Sequence, residues 1–270
     1  MKRIAEYIVI IFTILIQSCF SQSYVMNQNV FSDGETLIYK VKWTFIRLGT
    51  ITIKTISVPD DLDFVRISMQ VQSNPTLFFI STNEYNETLV DIRNCMSKSY
   101  FGDHRNGGDR LLLHSSFDEA SGSCVFREFD DVIKKNTKVD TIYNSPRYVD
   151  GPSLFFFTRA FSKSKIIHKV PTLINGEIKN TKLIFTDEKK EFEIDAFQFP
   201  VIAKKYYGIA DWEGGTSQGL SGEFLGFITD DEAAIPVYAE VKVLLGKLKI
   251  ELESYTRNNY HFKNQKLTNK

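Results

Sequence analysis

The sequence predicts a mainly β protein, built from curved antiparallel sheets or as an open barrel or β-roll, with one short buried helix at about residues 152–162. Three observations predict this class. Apolar and polar residues alternate through many short segments, which is typical of strands with one buried face. The chain holds 22 Phe and 12 Tyr, residue types that favour strands. A single segment, opened by Pro152, breaks the alternation.

The first strand shows the alternation most clearly. Between Glu35 and Trp43 the side chains of Leu37, Tyr39 and Val41 share one face, and mostly polar residues separate them. A short link around Arg47 joins this strand to the second, and clusters of Gly, Asn and Asp separate the later strands, as hairpin connections require. Further strands of the first half are expected at 49–56, 64–72, 77–82, 86–93, 96–103, 109–117 and 123–129.

A second set of strands follows the helix. A hairpin centred on Gly246 joins the last two of them. We expect one β-rich domain over residues 22–258, with a first half at about 30–148, a second half at about 165–256, and a polar tail at 259–270. The strands of the second half are expected at 166–173, 178–186, 189–196, 200–208, 222–229, 236–245 and 247–256.

The segment from Asp150 to Phe161 predicts the helix. Pro152 suits the first helical turn and Asp150 suits the N-cap. Phe side chains fall on several sides of this segment, which indicates a helix buried against the sheet. Two polar residues are expected to be structural: Asp150 caps the helix, and Arg159 pairs with a carboxylate near its other end.

The start of the chain reads as a bacterial export signal. Two basic residues precede an apolar run at 7–16, which is well short of the roughly 20 residues that a membrane span needs. Removal of residues 1–18 would make Cys19 a lipidated first residue and the only membrane anchor. Removal of residues 1–21 would instead leave a soluble chain. Both endings predict an exported protein, either periplasmic or anchored to the outer membrane of a Gram-negative bacterium.

Composition excludes several classes of partner. Lys and Arg total 33 and Asp and Glu total 33, so no overall field attracts nucleic acid. Cys95 and Cys124 are expected about two strand spacings apart, which is too far for a disulfide. The four histidines are scattered and no cysteine pair has metal-binding spacing. We therefore expect no cofactor and no metal.

Three segments in order carry a family resemblance. They are Phe31–Trp43 followed by Gly49, then Asp150–Arg159, and then Phe227–Pro236 with the hairpin at Gly246. Together they resemble the bacterial family called domain of unknown function 3108, over about residues 30–256. The resemblance implies an exported, nearly all-β protein and suggests a curved sheet like that of lipoprotein carriers. It implies no activity and no catalytic residues.

The favoured function is that of a non-enzymatic cell-envelope protein whose aromatic interior holds an apolar ligand. The ligand is a lipid or an apolar segment of an envelope partner. Pockets for small molecules are mostly apolar with few polar anchors, and the many Phe residues of this chain match that composition. The residues expected to contact the ligand are Phe155, Phe157, Phe161, Tyr207 and Trp212.

Two alternatives stay open. In one, the protein is an envelope carbohydrate-binding protein or a glycan hydrolase that uses Asp211, Trp212 and Glu213. The acidic cluster Asp230–Glu232 could also supply paired carboxylates, although we interpret it as a solvated hairpin turn. In the other, the domain is purely structural and its interior is filled. A lined cavity would separate the favoured function from the structural one, and a shared exposed face of Trp212 and Tyr207 would favour carbohydrate.

Overall fold

The computed structural model describes residues 26–77, 80–210, 222–243, 246–260 and 262. These residues form a 3-10 turn at Gln28–Val30, followed by fourteen strands and one α-helix. The elements are β1 (Thr36–Trp43), β2 (Ile46–Ser57), β3 (Phe64–Ser73), β4 (Thr82–Asp91), β5 (Met96–Asn106), β6 (Asp109–Asp118), β7 (Ser123–Asp130), β8 (Lys135–Ile142), α1 (Gly151–Ala160), β9 (His168–Ile174), β10 (Glu177–Phe192), β11 (Val201–Ala210), β12 (Gly222–Thr229), β13 (Pro236–Val243) and β14 (Gly246–Thr256).

All fourteen strands belong to one antiparallel sheet. Its centre is the pair formed by the first and last strands, since β1 pairs with β14 from Thr36↔Thr256 to Trp43↔Leu248. From this pair the sheet runs through successive hairpins to β8 at one edge and to β9 at the other. The prediction of a mainly β protein with an antiparallel sheet and one helix is confirmed.

Three strand predictions were wrong. Strand β8 was missed because its side chains are mostly exposed and show no alternation. The strand expected at 77–82 is absent among the described residues before Thr82, where the amide of Leu77 donates to the carbonyl of Asn74 and closes a turn. The strands expected at 178–186 and 189–196 are one strand, β10, whose register shifts between Phe185 and Lys189.

The sheet curls so that one edge returns towards its other half. The segment Tyr148–Val149 links them. The carbonyl of Tyr148 accepts from the amide of Ser97 at the start of β5. Val149 forms a parallel bridge to Thr172 of the edge strand β9. Leu173 of β9 consequently packs in a small core cluster with Cys124, Phe126 and Tyr148.

Helix α1 lies against one face of the sheet, which we call the inner face. Phe156 and Ala160 are fully buried there within the main core cluster. Helix α1 ends at Ala160, two residues earlier than expected.

Cys95 and Cys124 are buried, free thiols. They lie in different core clusters: Cys95 belongs to the main cluster around α1, and Cys124 belongs to the small cluster with Tyr148.

Candidate functional site

The N-terminal end of α1 is fixed by hydrogen bonds from neutral donors. Asp150 caps the helix: its Oδ1 accepts from the amide of Ser153 at 3.1 Å, and its own amide donates to the Ser153 hydroxyl at 2.7 Å. The Thr88 hydroxyl of β4 donates to the same Oδ1 at 2.8 Å. Ser97 of β5 lies 2.7 Å from the Ser153 hydroxyl. These contacts set the position of α1 over β4 and β5.

The C-terminal end of α1 is fixed by charge. Arg159 is fully buried and its guanidinium makes a bidentate ion pair with the buried carboxylate of Glu35. It also donates to the carbonyls of Ala233 at 2.9 Å and Ala234 at 3.1 Å. Arg257 binds the same Glu35 carboxylate. The structure thus places Asp150 at the cap and Arg159 against a carboxylate.

A cavity of about 240 Å³ lies between the side of α1 and the centre of the sheet. We call it the inner cavity. Its wall combines one side of the helix with inner-face residues of strands from both halves of the chain. No charged residue is among the lining residues that the structure describes. The lining residues are Tyr39, Ile51, Ile53, Met69, Gly151, Leu154, Phe155, Thr158, Tyr206, Phe224, Pro236, Tyr238, Ala239 and Ile250.

The few polar groups of this wall are mostly satisfied by the protein itself. The Tyr39 hydroxyl donates to the carbonyl of Pro236 at 3.0 Å. The Thr158 hydroxyl donates to the carbonyl of Leu154 at 2.9 Å. Burial raises the pKa of Tyr206, which keeps that phenol neutral. The wall therefore presents an uncharged and mostly apolar surface.

A second apolar groove continues along the same strands. It has a volume of about 190 Å³ and is lined in part by Val41, Gly49, Val71 and Leu248. These positions lie two residues beyond Tyr39, Ile51, Met69 and Ile250 of the inner cavity, and side chains two residues apart share a face of a strand. The cavity and this groove, which we call the tip groove, form an elongated apolar track that leads towards the β1–β2 turn.

The expected ligand-binding residues separate into three places. Phe155 lines the inner cavity. Phe157 and Phe161 stack on each other with ring centroids 4.3 Å apart and pack on His168 instead. Tyr207 lines a different cleft of about 270 Å³. Trp212, with Asp211, Glu213 and the possible lipidation residue Cys19, lies outside the described residues.

The cleft beside Tyr207 differs from the inner cavity in its charged rim. Glu223 pairs with Lys242 at 2.5 Å and Glu240 pairs with Lys247 at 2.9 Å. These ion pairs are exposed to solvent, where such pairs contribute little. Since its charged groups already pair with one another, the cleft offers a bound molecule no unpaired charge from this rim.

The acidic cluster at 230–232 forms a turn held by its own contacts. Asp231 accepts from the Thr229 hydroxyl, the amide of Ala234 and the Tyr260 hydroxyl. Asp230 lies 2.8 Å from the ammonium group of Lys189. Across the described parts of the chain, no group of three His, Cys, Asp or Glu side chains is arranged to hold a metal ion.

Sequence reasoning missed most of the residues that line the inner cavity. Ile51, Ile53 and Met69 sit at inward positions of strands whose alternation was recognised, so the signal was present. What the sequence does not reveal is that β1 pairs with β14, which brings Ala239 and Ile250 to the same wall.

Comparison with known proteins places the chain among proteins without an assigned role. A family model described as "Protein of unknown function (DUF3108)" matches residues 38–253. No functionally curated protein matches.

Among solved structures, the β-barrel-like protein of domain of unknown function DUF1849 from Brucella abortus has a TM-score of 0.57 at 7% identity, covering 84% of this chain and 98% of that one. A hypothetical protein from Chlamydia trachomatis has a TM-score of 0.36 at 9% identity, covering 89% of this chain and 98% of that one. The first likeness shows a shared β-barrel-like fold. Within the described residues, no helix has the length and apolar character to cross a membrane.

Proposed function

We propose that this chain, which belongs to the DUF3108 family of proteins of unknown function, is a non-enzymatic exported protein that holds an apolar ligand in the inner cavity. The family match confirms the resemblance drawn from the three sequence segments. Because the family carries no assigned activity, the proposal rests on the site.

The observation that carries the proposal is the inner cavity itself. Its 240 Å³ far exceed the roughly 10–15 Å³ that one water molecule requires. An apolar cavity gives water few partners, so such spaces stay dry or take up apolar molecules.

The tip groove supports an elongated guest. Along β1, β3 and β14, each cavity residue is followed two positions away on the same face by a groove residue: Tyr39 by Val41, Met69 by Val71, and Ile250 by Leu248. Two residues of a strand span about 6.6 Å, so the groove extends the apolar track along the strands. A single extended hydrocarbon chain fits this shape better than a compact ring system.

Export is supported by the start of the sequence. The basic residues and the short apolar run at 7–16 direct the chain out of the cytoplasm. We place the mature protein in the periplasm or, if Cys19 is lipidated, on the outer membrane. An envelope location would put the cavity beside membrane lipids, which are the abundant source of hydrocarbon chains.

The test uses the purified chain from residue 22 and the uncharged apolar fluorophore N-phenylnaphthylamine. Ala239 lines the cavity, so Ala239→Leu should fill it and weaken probe binding by at least about tenfold. Ala120→Leu, in the exposed turn between β6 and β7, is the matched control and should bind like the parent.

Three outcomes would count against the proposal. They are no probe binding by the parent, equal binding by the two Leu variants, and thermal stabilisation by glycans alone. The last would favour the carbohydrate alternative.

A further inference from the structure

A polar cluster lies on the inner face directly beside the apolar track. Asn86 of β4 pairs in register with Met69 of β3, which lines the inner cavity. On its other side Asn86 pairs with Gly102 of β5. One pair further along, Glu84 lies between Val71 of the tip groove and His104 of β5. A molecule lying in the track would have this cluster at its flank.

Two side chains of the cluster converge on one atom of a third. The Tyr100 hydroxyl donates to Asn86 Oδ1 at 2.5 Å, and His104 Nε2 lies 2.7 Å from the same oxygen. The Tyr100 hydroxyl and His104 Nε2 are 3.3 Å apart. Gly102 allows this approach, because a Cβ there would lie 2.7 Å from the Tyr100 hydroxyl and 2.9 Å from His104 Nε2.

The protonation of the cluster follows from its surroundings. Burial lowers the pKa of His104, against the opposing influence of the Glu84 and Asp103 carboxylates, so the imidazole is neutral at pH 7. A neutral ring carries one proton, which the contact with Asn86 Oδ1 places on Nε2. His104 Nδ1 is then an acceptor, and the Tyr100 oxygen keeps acceptor capacity.

The neighbouring charges discriminate among head groups. Arg105 and Arg110 bind Asp103. Asp103 lies between Gly102 and His104 in β5, so its side chain is on the opposite face of the sheet, the outer face. The inner-face neighbours of the cluster on β6 are Leu111 and Leu113. The cluster therefore offers the acceptors His104 Nδ1 and the Tyr100 oxygen and the amide donor of Asn86, and no basic side chain is among the inner-face neighbours named here. Such a cluster can bind hydroxyl groups, and it disfavours a carboxylate or phosphate because it supplies no positive charge to compensate the anion.

We infer that the ligand is an amphiphile with an uncharged, hydroxyl-bearing head group. Its hydrocarbon chain occupies the inner cavity and the tip groove, and its hydroxyl groups bind the cluster of Asn86, Tyr100 and His104. This inference rests on the proposed function and adds the chemical class of the ligand.

The test compares three competitors that share one palmitoyl chain. Each displaces N-phenylnaphthylamine from the chain starting at residue 22. Monopalmitoylglycerol should displace the probe at about tenfold lower concentration than palmitate or monopalmitoylglycerol phosphate, because one or two hydrogen bonds distinguish the heads. Asn86→Leu and Tyr100→Phe should reduce this preference, which is measured in each variant relative to its own probe affinity. Asn83→Leu, exposed on the same strand, should keep the preference.

The outcomes separate the two proposals. Probe binding with equal displacement by all three competitors would overturn the head-group site and leave the apolar cavity standing. A preference for the anionic heads, or an unchanged preference in Asn86→Leu, would overturn the site as well. No probe binding by the parent would overturn the proposed function and this inference with it.

Discussion

The two ends of helix α1 are held by different chemistry. At the N-terminal end, Asp150 Oδ1 accepts from neutral donors on Thr88 and Ser153, and Oδ2 has no hydrogen-bond partner among the described residues. At the C-terminal end, Arg159 and Arg257 share the carboxylate of Glu35, and two backbone carbonyls accept from two further guanidinium donors of Arg159.

The difference lies in how much of the chain each end joins. Glu35 immediately precedes β1 and Arg257 immediately follows β14, so their contact extends the pairing of the two central strands. Arg159 adds the helix and the turn before β13. The side-chain hydrogen bonds of the neutral end join α1 to β4 and β5. We therefore expect the charged end to control the stability of the whole domain and the neutral end to act locally.

The largest expected effect comes from Glu35→Ala. It would leave the fully buried guanidinium of Arg159 and the partly buried one of Arg257 without their carboxylate. Breaking a buried pair by removing one partner costs about 3–5 kcal/mol. Chemical denaturation measures the free energy of unfolding. Glu253→Ala removes the more exposed carboxylate that pairs with Arg47, and should cost about 1 kcal/mol or less. A loss at Glu35 as small as that at Glu253 would remove the distinction between the two ends.

A smaller effect is expected from Asp150→Ala. Loss of an N-cap side chain typically costs about 0.5–2 kcal/mol. Hydrogen exchange should show the loss concentrated in the first amides of α1, because the contacts are local. Asp60→Ala, in an exposed turn, should change stability by about 0.5 kcal/mol or less. A cost matching that of Glu35→Ala would show that both ends support the fold equally.

Much of the sheet could be predicted because its signal is local. The alternation of Leu37, Tyr39 and Val41 reflects the side-chain period of a strand and needs no partner to be recognised. Strand β8 lacks that signal, since a mostly exposed edge strand has no buried face to mark. The charged residues Asp187 and Glu188 sit at a register shift in β10 and resemble a turn in sequence.

The site was harder to predict because it depends on long-range pairing. Phe155 was expected to contact a ligand and does line the inner cavity, but Phe157 and Phe161 turn towards His168. The helical pattern shows which residues are apolar, but it does not show which side of the helix faces the cavity. In the same way, the sequence predicts a carboxylate partner for Arg159 without identifying Glu35, which lies 124 positions away.

The subtlest difference between the ends is its dependence on pH. Burial raises the pKa of Asp150, with hydrogen bonds from Ser153, Thr88 and Ser97 opposing the shift, so the folded chain binds this proton more tightly than the unfolded chain. Its contribution to stability is then fully present below the unfolded pKa of 3.8 and is lost as pH rises through the folded pKa.

Asn cannot ionise, so the stability of Asp150→Asn relative to the parent should increase as pH is raised from acid to neutral. Asp33→Asn should show the opposite trend, because the hydrogen bonds from Ser57 lower the pKa of Asp33 and its contribution is lost as pH falls. Urea denaturation of the parent and both variants across this range measures the two slopes. A flat difference for Asp150→Asn would show that folding leaves the pKa of Asp150 unchanged, and a decrease with rising pH would show that the folded carboxyl group is a stabilised buried charge.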